Sequence, residues 1–253
     1  MSSALPLAWI TGASQGIGRS LAVELLQRGW RVAATARSES PLLRLQQAHP
    51  GQLFSFPADV CDPAQMARTI DAIEDQQGPI QLAIFNAGSH QPEHASQFQA
   101  RTVRQLIELN LLGVCNGLEP LLPRMLERGQ GQIAAVASLA GYRGLPTAAA
   151  YGASKAALIN LMESIALDLR GSGVKIQVIN PGFVKTPLTD RNSFAMPGLI
   201  SSDQAARSIA EGLMGNRFEI RFPAGFATLM AVLRHLPYRL YFPLVARLTR
   251  GDS

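Results

Sequence analysis

Tyr151 and Lys155 stand four residues apart in Tyr151-Gly152-Ala153-Ser154-Lys155. On a helix that spacing puts both side chains on one face, one turn from each other. A phenol is a poor acid near neutral pH, with an ordinary pKa of about 10. An ammonium about 4 Å away, in an effective dielectric of about 20, favours phenolate by about 4 kcal/mol, or roughly 3 pKa units. Such a pair can exchange a proton with a substrate near neutral pH. The motif alone reads equally well as an accidental pair on a surface helix, so the rest of the chain decides.

A second constellation lies near the N-terminus, in Thr11-Gly12-Ala13-Ser14-Gln15-Gly16-Ile17-Gly18. The apolar run Leu7–Ile10 leads into it, and a helical stretch follows that ends near Gly29. Glycines between a first strand and a first helix let the backbone approach a pyrophosphate, whose charge the helix N-terminus favours. The spacing is not that of a P-loop, which needs Gly-Lys-Ser/Thr. About 20 residues further on, a dinucleotide fold reads the ribose 2′ position. A carboxylate there accepts the 2′-hydroxyl of NAD; this chain has Ala36-Arg37. A guanidinium suits a 2′-phosphate, so NADP (NADPH) is the expected cofactor.

These residues need a frame. Apolar runs at about Leu7–Ile10, Arg31–Ala36, Gln52–Phe56, Ile80–Phe85, Gln132–Ala137, Val174–Ile179 and Arg217–Phe222 read as strands. Between them lie helical patterns, including a long one from about Phe98 to Arg128 in which Pro120 and Pro123 are expected to kink the chain. The Tyr151 helix is expected from about Thr147 to Arg170, and another from Ser202 to Met214. Residues 183–200 read as a loop or lid. Seven alternations with near-continuously apolar strands predict an α/β, Rossmann-type doubly wound fold with a seven-stranded parallel sheet. The expected organisation is a dinucleotide-binding catalytic domain over 1–222 and a helical extension over 223–253 that is not an independent domain.

Taken together, Thr11-Gly12-x3-Gly16-x-Gly18, Asn86-Ala87-Gly88, Asn110, Ser138, Tyr151-x3-Lys155 and Pro181-Gly182-x3-Thr186 stand in an order that resembles a classical short-chain dehydrogenase/reductase. The likeness covers about residues 5–222. It implies hydride transfer between nicotinamide and a carbonyl or secondary alcohol, with Tyr151 exchanging the proton. Lys155 would lower the Tyr151 pKa and bind the nicotinamide ribose. Ser138 would polarise the substrate oxygen, and Asn110 would hold a water linking Lys155 to solvent. It also implies cofactor contacts from Gly12, Ser14, Gln15, Gly16, Ile17, Gly18, Arg37, Asp59, Val60, Asn86, Ala87, Gly88, Tyr151, Lys155, Pro181, Gly182, Val184 and Thr186.

Two features depart from the family pattern. Phe85 stands where an asparagine commonly precedes Asn-Ala-Gly, and a packed aromatic is expected there. The short Gly-rich tail that helps relatives assemble is replaced by Pro223–Ser253, which puts the usual tetramer in question. A homodimer or homotetramer is still the expected assembly.

In that tail Phe226, Leu229, Met230 and Leu233 fall at helical spacing, as do Tyr241, Leu244, Val245 and Leu248 after Pro237. Arg239, Arg247 and Arg250 fall on the opposite side of the second stretch. The net charge is +5, and six arginines against two acids over 217–253 place most of it here. Such a basic amphipathic hairpin can pack on the body, roof the substrate pocket, form a dimer or touch an anionic membrane, and each suits an apolar substrate. No nucleic-acid motif accompanies the basic residues.

No apolar run reaches the roughly 18 residues of a membrane span, and no signal-peptide pattern is present. Cys61 and Cys115 match no metal-ligand spacing, which fits a cytoplasmic protein, membrane-associated if the tail docks there. His90, Glu93 and His94 have a ligand-like spacing, but Pro92 and the polar loop argue against a metal site. The alternative to an enzyme is a catalytically silent NADP-binding sensor or scaffold. Loss of Tyr, Lys or Ser would favour it, and all three are present.

Overall fold

The computed structural model describes residues 5–191 and 196–249. Arg250 and Asp252 of the basic tail, and residues 192–195 of the expected lid, lie outside them. The chain begins with β1 (Leu7–Thr11), buried at every position, then α1 (Gly16–Gln27), β2 (Arg31–Thr35), α2 (Glu39–Ala48) and β3 (Leu53–Ser55). Next come α3 (Pro63–Gln77), which starts on an Asp62 cap with Pro63 in its first turn, and β4 (Leu82–Phe85). The remaining strands of the main sheet are β5 (Gly131–Val136), β6 (Val174–Pro181) and the last strand, Glu219–Phe222.

The seven strands are all parallel. Their order is β3-β2-β1-β4-β5-β6 followed by the Glu219–Phe222 strand. The chain therefore builds outward from β1, then returns to the other side of β1 with β4. That reversal opens a crevice at the carboxyl ends of β1 and β4, where ligands bind in such sheets. One apolar layer, including Ile10, Leu21, Ile84 and Ile209, covers one face of the sheet. The other face holds Trp9, Phe85, Ile133, Leu158 and Met162. Phe85 packs edge-on to Trp9 at 5.5 Å, as the substitution of an apolar ring at that position predicts. Gly117 makes room for it, since a Cβ there would lie 2.3 Å from the Phe85 ring.

The long helical region departs from expectation. It divides into α4 (Ala100–Ile107), one π-helical segment (Glu108–Leu112) and α5 (Gly113–Glu127). Pro120 and Pro123 lie inside α5, and a π-helical irregularity falls around Asn110, ahead of them. A π-turn inserts an extra residue per turn and re-aims one side chain, a device common at functional sites. Asn110 is thereby turned fully into the interior.

The Tyr151-x3-Lys155 motif sits on α6 (Ala149–Asp168). The described parts of the expected lid carry short regular elements. A short ribbon pairs β7 (Val184–Lys185) with β8 (Ile200–Ser201), ahead of α7 (Ser202–Met214). The main sheet then closes with β9 (Glu219–Phe222), and the chain ends in α8 (Ala224–Leu233) and α9 (Tyr238–Leu248). These last helices pack on the segment after β5, burying Leu139, Ala227, Met230, Leu233, Tyr241 and Val245 together. Only part of each expected stripe is covered: Leu229, Leu244 and Leu248 face outward.

Candidate active site

The crevice holds a cleft of 460 Å³. Gly12, Ser14, Gln15, Gly16, Ile17, Arg37, Asp59, Val60, Asn86, Ala87 and Gly88 line it, and so do Ser138, Tyr151, Lys155, Pro181, Gly182, Val184 and Thr186. Gly18 and Asn110 stand behind the wall.

At the phosphate end, the turn after β1 is shaped so that side chains have no room. Gly12 has φ +68° and Gly16 φ +54°, left-handed conformations that favour glycine. A Cβ on Gly18 would lie 2.3 Å from the Gly12 carbonyl oxygen and 2.4 Å from Asn86 Nδ2. The turn is tied to β4 by reciprocal hydrogen bonds. Thr11 Oγ1 accepts from the amides of Asn86 and Ala87 at 3.0 and 3.1 Å. Asn86 Nδ2 donates to the Thr11 and Gly12 carbonyls at 3.0 and 3.2 Å. A backbone cradle of this kind, at the N-terminus of α1, fits a dinucleotide pyrophosphate.

Arg37 extends from the end of β2 as an exposed side chain at the rim. Asp59 Oδ1 accepts from the Cys61 amide at 3.0 Å, and Asn116 Nδ2 holds the Val60 carbonyl at 2.9 Å, which together set that wall. Burial, with Asp59 beside it, pushes the Cys61 thiol up to about 11, so it stays protonated at neutral pH.

At the other end, β5 delivers Ser138 and α6 delivers Tyr151 and Lys155. Ser138 Oγ accepts from the Ala140 amide at 3.1 Å, which leaves its hydroxyl proton for Tyr151. Burial pushes the Tyr151 phenol up, and the Ser138 hydrogen bond pulls the other way. Lys155 is 3% exposed, and burial brings it down to about 8. Its Nζ donates to the Val136 carbonyl at 2.8 Å and lies 5.8 Å from the centre of the Tyr151 ring. Burial is the leading influence on the phenol and acts against the expected lowering of its pKa by Lys155. Within this geometry Lys155 is held by β5, and Tyr151 is a protonated acid.

Several residues that the spacing did not single out organise the site. Ser154 is fully buried, donates to the Tyr151 carbonyl at 2.7 Å and accepts from Asn110 Nδ2 at 2.9 Å. Asn110 also pairs with both main-chain groups of Ser89, at 2.8 and 3.0 Å. The π-turn thus ties the segment after β4 to α6. Thr189 Oγ1 donates to the Val184 carbonyl at 2.8 Å and accepts from the Thr186 amide at 3.0 Å, placing Thr186 over Gly16.

His90 is buried with its ring 4.6 Å from that of Tyr151, while His94 turns to Ser96 at 2.8 Å. Among the described residues no cluster of three or more His, Cys, Asp or Glu is arranged to hold a metal. The sequence carried little signal for the Asn110–Ser154, Asn110–Ser89 and His90–Tyr151 contacts, because each joins segments distant in the chain.

Comparison with known proteins agrees with this geometry. A family model described as short chain dehydrogenase matches residues 6–196. An uncharacterized oxidoreductase of Myxococcus xanthus is 38% identical over 244 residues, covering 95% of this chain and 96% of its own. A short-chain dehydrogenase of Burkholderia cenocepacia solved in complex with NADP is 26% identical and superposes with a TM-score of 0.83, covering 98% of this chain and 99% of that one. A relative from Burkholderia phymatum solved with NAD is 24% identical, has a TM-score of 0.82, and covers 91% and 93%. The chain belongs to the short-chain dehydrogenase/reductase family.

Proposed function

We propose that this protein reduces a carbonyl, or oxidises the matching secondary alcohol, with NADP(H), and that its substrate is apolar. The observation that carries the reading is the junction, in one cleft, of a glycine cradle with a buried Ser138–Tyr151–Lys155 group. When bound, the nicotinamide supplies or accepts the hydride. The chain's own residues do the rest. Tyr151, kept protonated by burial, gives its proton to the developing alkoxide oxygen. Ser138, fixed by the Ala140 amide, aims its hydroxyl at the same oxygen. Lys155 has donors beyond the one spent on Val136, and these serve the nicotinamide ribose and the phenolate as it forms. Asn110 holds the Ser89 and Tyr151 segments in register, and its π-turn is where a water linking Lys155 to solvent fits this mechanism.

Cofactor choice rests on Arg37. It stands exposed at the end of β2 where a carboxylate would select NAD, and a guanidinium pairs with a 2′-phosphate. Apolar substrate character is supported by Phe183 and Phe226, which pack 5.4 Å apart beside Gly182. The same reading places the enzyme in the cytoplasm as a homo-oligomer, with residues 1–222 as the catalytic unit and the tail in peripheral contact with a membrane.

Tyr151→Phe is expected to lower turnover by about 10²–10⁴-fold while NADPH still binds, measured by nucleotide absorbance and fluorescence. Undiminished reduction of a reactive dicarbonyl would overturn the assignment. Arg37→Asp is expected to shift the NADPH-to-NADH preference towards NADH by about 10–100-fold, the worth of one charge-assisted hydrogen bond. An unchanged ratio of kcat/KM values refutes the role of Arg37.

A further inference from the structure

The tail presents an apolar surface much wider than its contact with the body. On α9 only Tyr241 and Val245 are buried. Leu240, Leu244 and Leu248 follow one another at i, i+4 and i+8 and form an exposed ridge along one flank, at 58%, 38% and 61% accessibility. Arg247 adjoins that ridge and is exposed, as is Arg239. On α8, Leu229 and Val232 are also uncovered.

Charge says what would cover this surface. Residues 223–249 contain Arg234, Arg239 and Arg247 and no carboxylate. Arg234 is occupied over the Tyr142 ring at 5.0 Å. Among the described residues no carboxylate forms an ion pair with Arg239 or Arg247. A second copy laid face to face on this tail would set cations against cations with no acid in either segment to pair them. An anionic lipid surface supplies both an apolar layer for the leucines and phosphates for the guanidinium groups, which reach them on long apolar stems. No helix among the described residues is long and apolar enough to cross a membrane, so the contact would lie in the interfacial plane.

The tail also borders the cleft. A Cβ on Gly182, a cleft residue, would meet Phe226 of α8 at 2.9 Å. Leu139, next to Ser138, lies in the same apolar cluster as Tyr241 and Val245.

We propose that α9 docks the enzyme on an anionic lipid surface through the Leu240–Leu244–Leu248 ridge and its arginines, so that a lipid-dissolved carbonyl enters the cleft beside Phe226. The proposal rests on the reading of the protein as a reductase of an apolar carbonyl. Guanidinium pairing with headgroups is weakened by salt, whereas an apolar dimer seam is not.

The test is sedimentation of the full-length chain with vesicles of equal parts phosphatidylglycerol and phosphatidylcholine, beside vesicles of phosphatidylcholine alone. Turnover of a water-soluble dicarbonyl is followed in parallel. The chain is expected to sediment with the anionic vesicles only and to be released by high salt. Leu244→Gln with Leu248→Gln, and separately Arg239→Gln with Arg247→Gln, are each expected to lower vesicle affinity by about tenfold or more. Neither pair should alter turnover of the soluble dicarbonyl, which also reports that the variants fold. Absence of vesicle binding with turnover intact overturns the docking face. So does a dimer, seen by sedimentation velocity, that the leucine pair dissociates while binding to vesicles stays nil. Vesicle binding without turnover in any form would strike the catalytic reading and leave the docking face standing.

Discussion

The Tyr151 helix and the C-terminal helix use aromatic side chains in opposite ways. On α6, Tyr151 is reached from several directions: Ser138 from β5, Ser154 and Lys155 from its own helix, and His90 from the segment after β4. On α9, Tyr241 donates to the Gly144 carbonyl at 2.6 Å and lies under the Arg143 guanidinium at 4.1 Å among apolar neighbours, while Tyr238 and Phe242 stack on each other at the surface. The contrast is between a place where polar geometry leaves one arrangement and a place where apolar area is left over. Buried polar networks are costly when incomplete, so they specify position; apolar stripes tolerate several partners.

The contrast is broken most severely at the glycine turn. In Gly18→Ala the new methyl meets a backbone oxygen and the Asn86 amide, neither of which can move without opening the junction of β1 and β4. NADPH affinity is expected to fall by about 100-fold or more, with about 1–3 kcal/mol lost from folding. Equilibrium binding and urea unfolding measure the two losses separately.

A smaller effect sharpens the role of burial at Lys155. Its native pKa, about 8, lies below the ordinary 10.5, so the unfolded chain binds more protons between those values and native stability rises with pH through that window. For catalysis the sign is reversed. Above about 8 the ammonium that steadies the forming phenolate is lost, and carbonyl reduction is expected to fall towards about tenfold per pH unit, following one lost proton. A rate profile from pH 6 to about 10 at saturating NADPH tests this, and a flat profile contradicts it.

The smallest expected effect belongs to the tail. Tyr241→Phe removes one hydrogen bond to Gly144 while keeping the ring, and is expected to cost about 1 kcal/mol in stability with no change in turnover of a soluble carbonyl. A catalytic loss as large as that of Tyr151→Phe would mean that the two regions are less separate than their contacts indicate.

Features governed by local chemistry were legible in the chain. Glycines needed for left-handed turns, the four-residue spacing of Tyr151 and Lys155, and the buried strand pattern all follow from backbone geometry that operates within a few residues. They predicted a seven-stranded parallel sheet, the glycine turn and the Tyr151–Lys155 pair, while most other residues lining the crevice were implied by the family resemblance. The irregularity near Asn110 was not legible. Prolines are read directly from the sequence, but the π-turn near Asn110 carries no such local signal, since it answers to contacts with Ser89 and Ser154.

Distances between segments far apart in sequence were decided only by the tertiary structure. The four-residue spacing placed Lys155 near Tyr151, but packing against β5 gave its ammonium to the Val136 carbonyl and set both pKa values through burial. The tail's amphipathic pattern was equally visible, yet which part of it turned inward depended on the shape of the body beneath. That is why Tyr241 and Val245 are buried and the Leu240–Leu244–Leu248 ridge is not. A sequence pattern states which groups avoid water; only the fold states how many of them find cover.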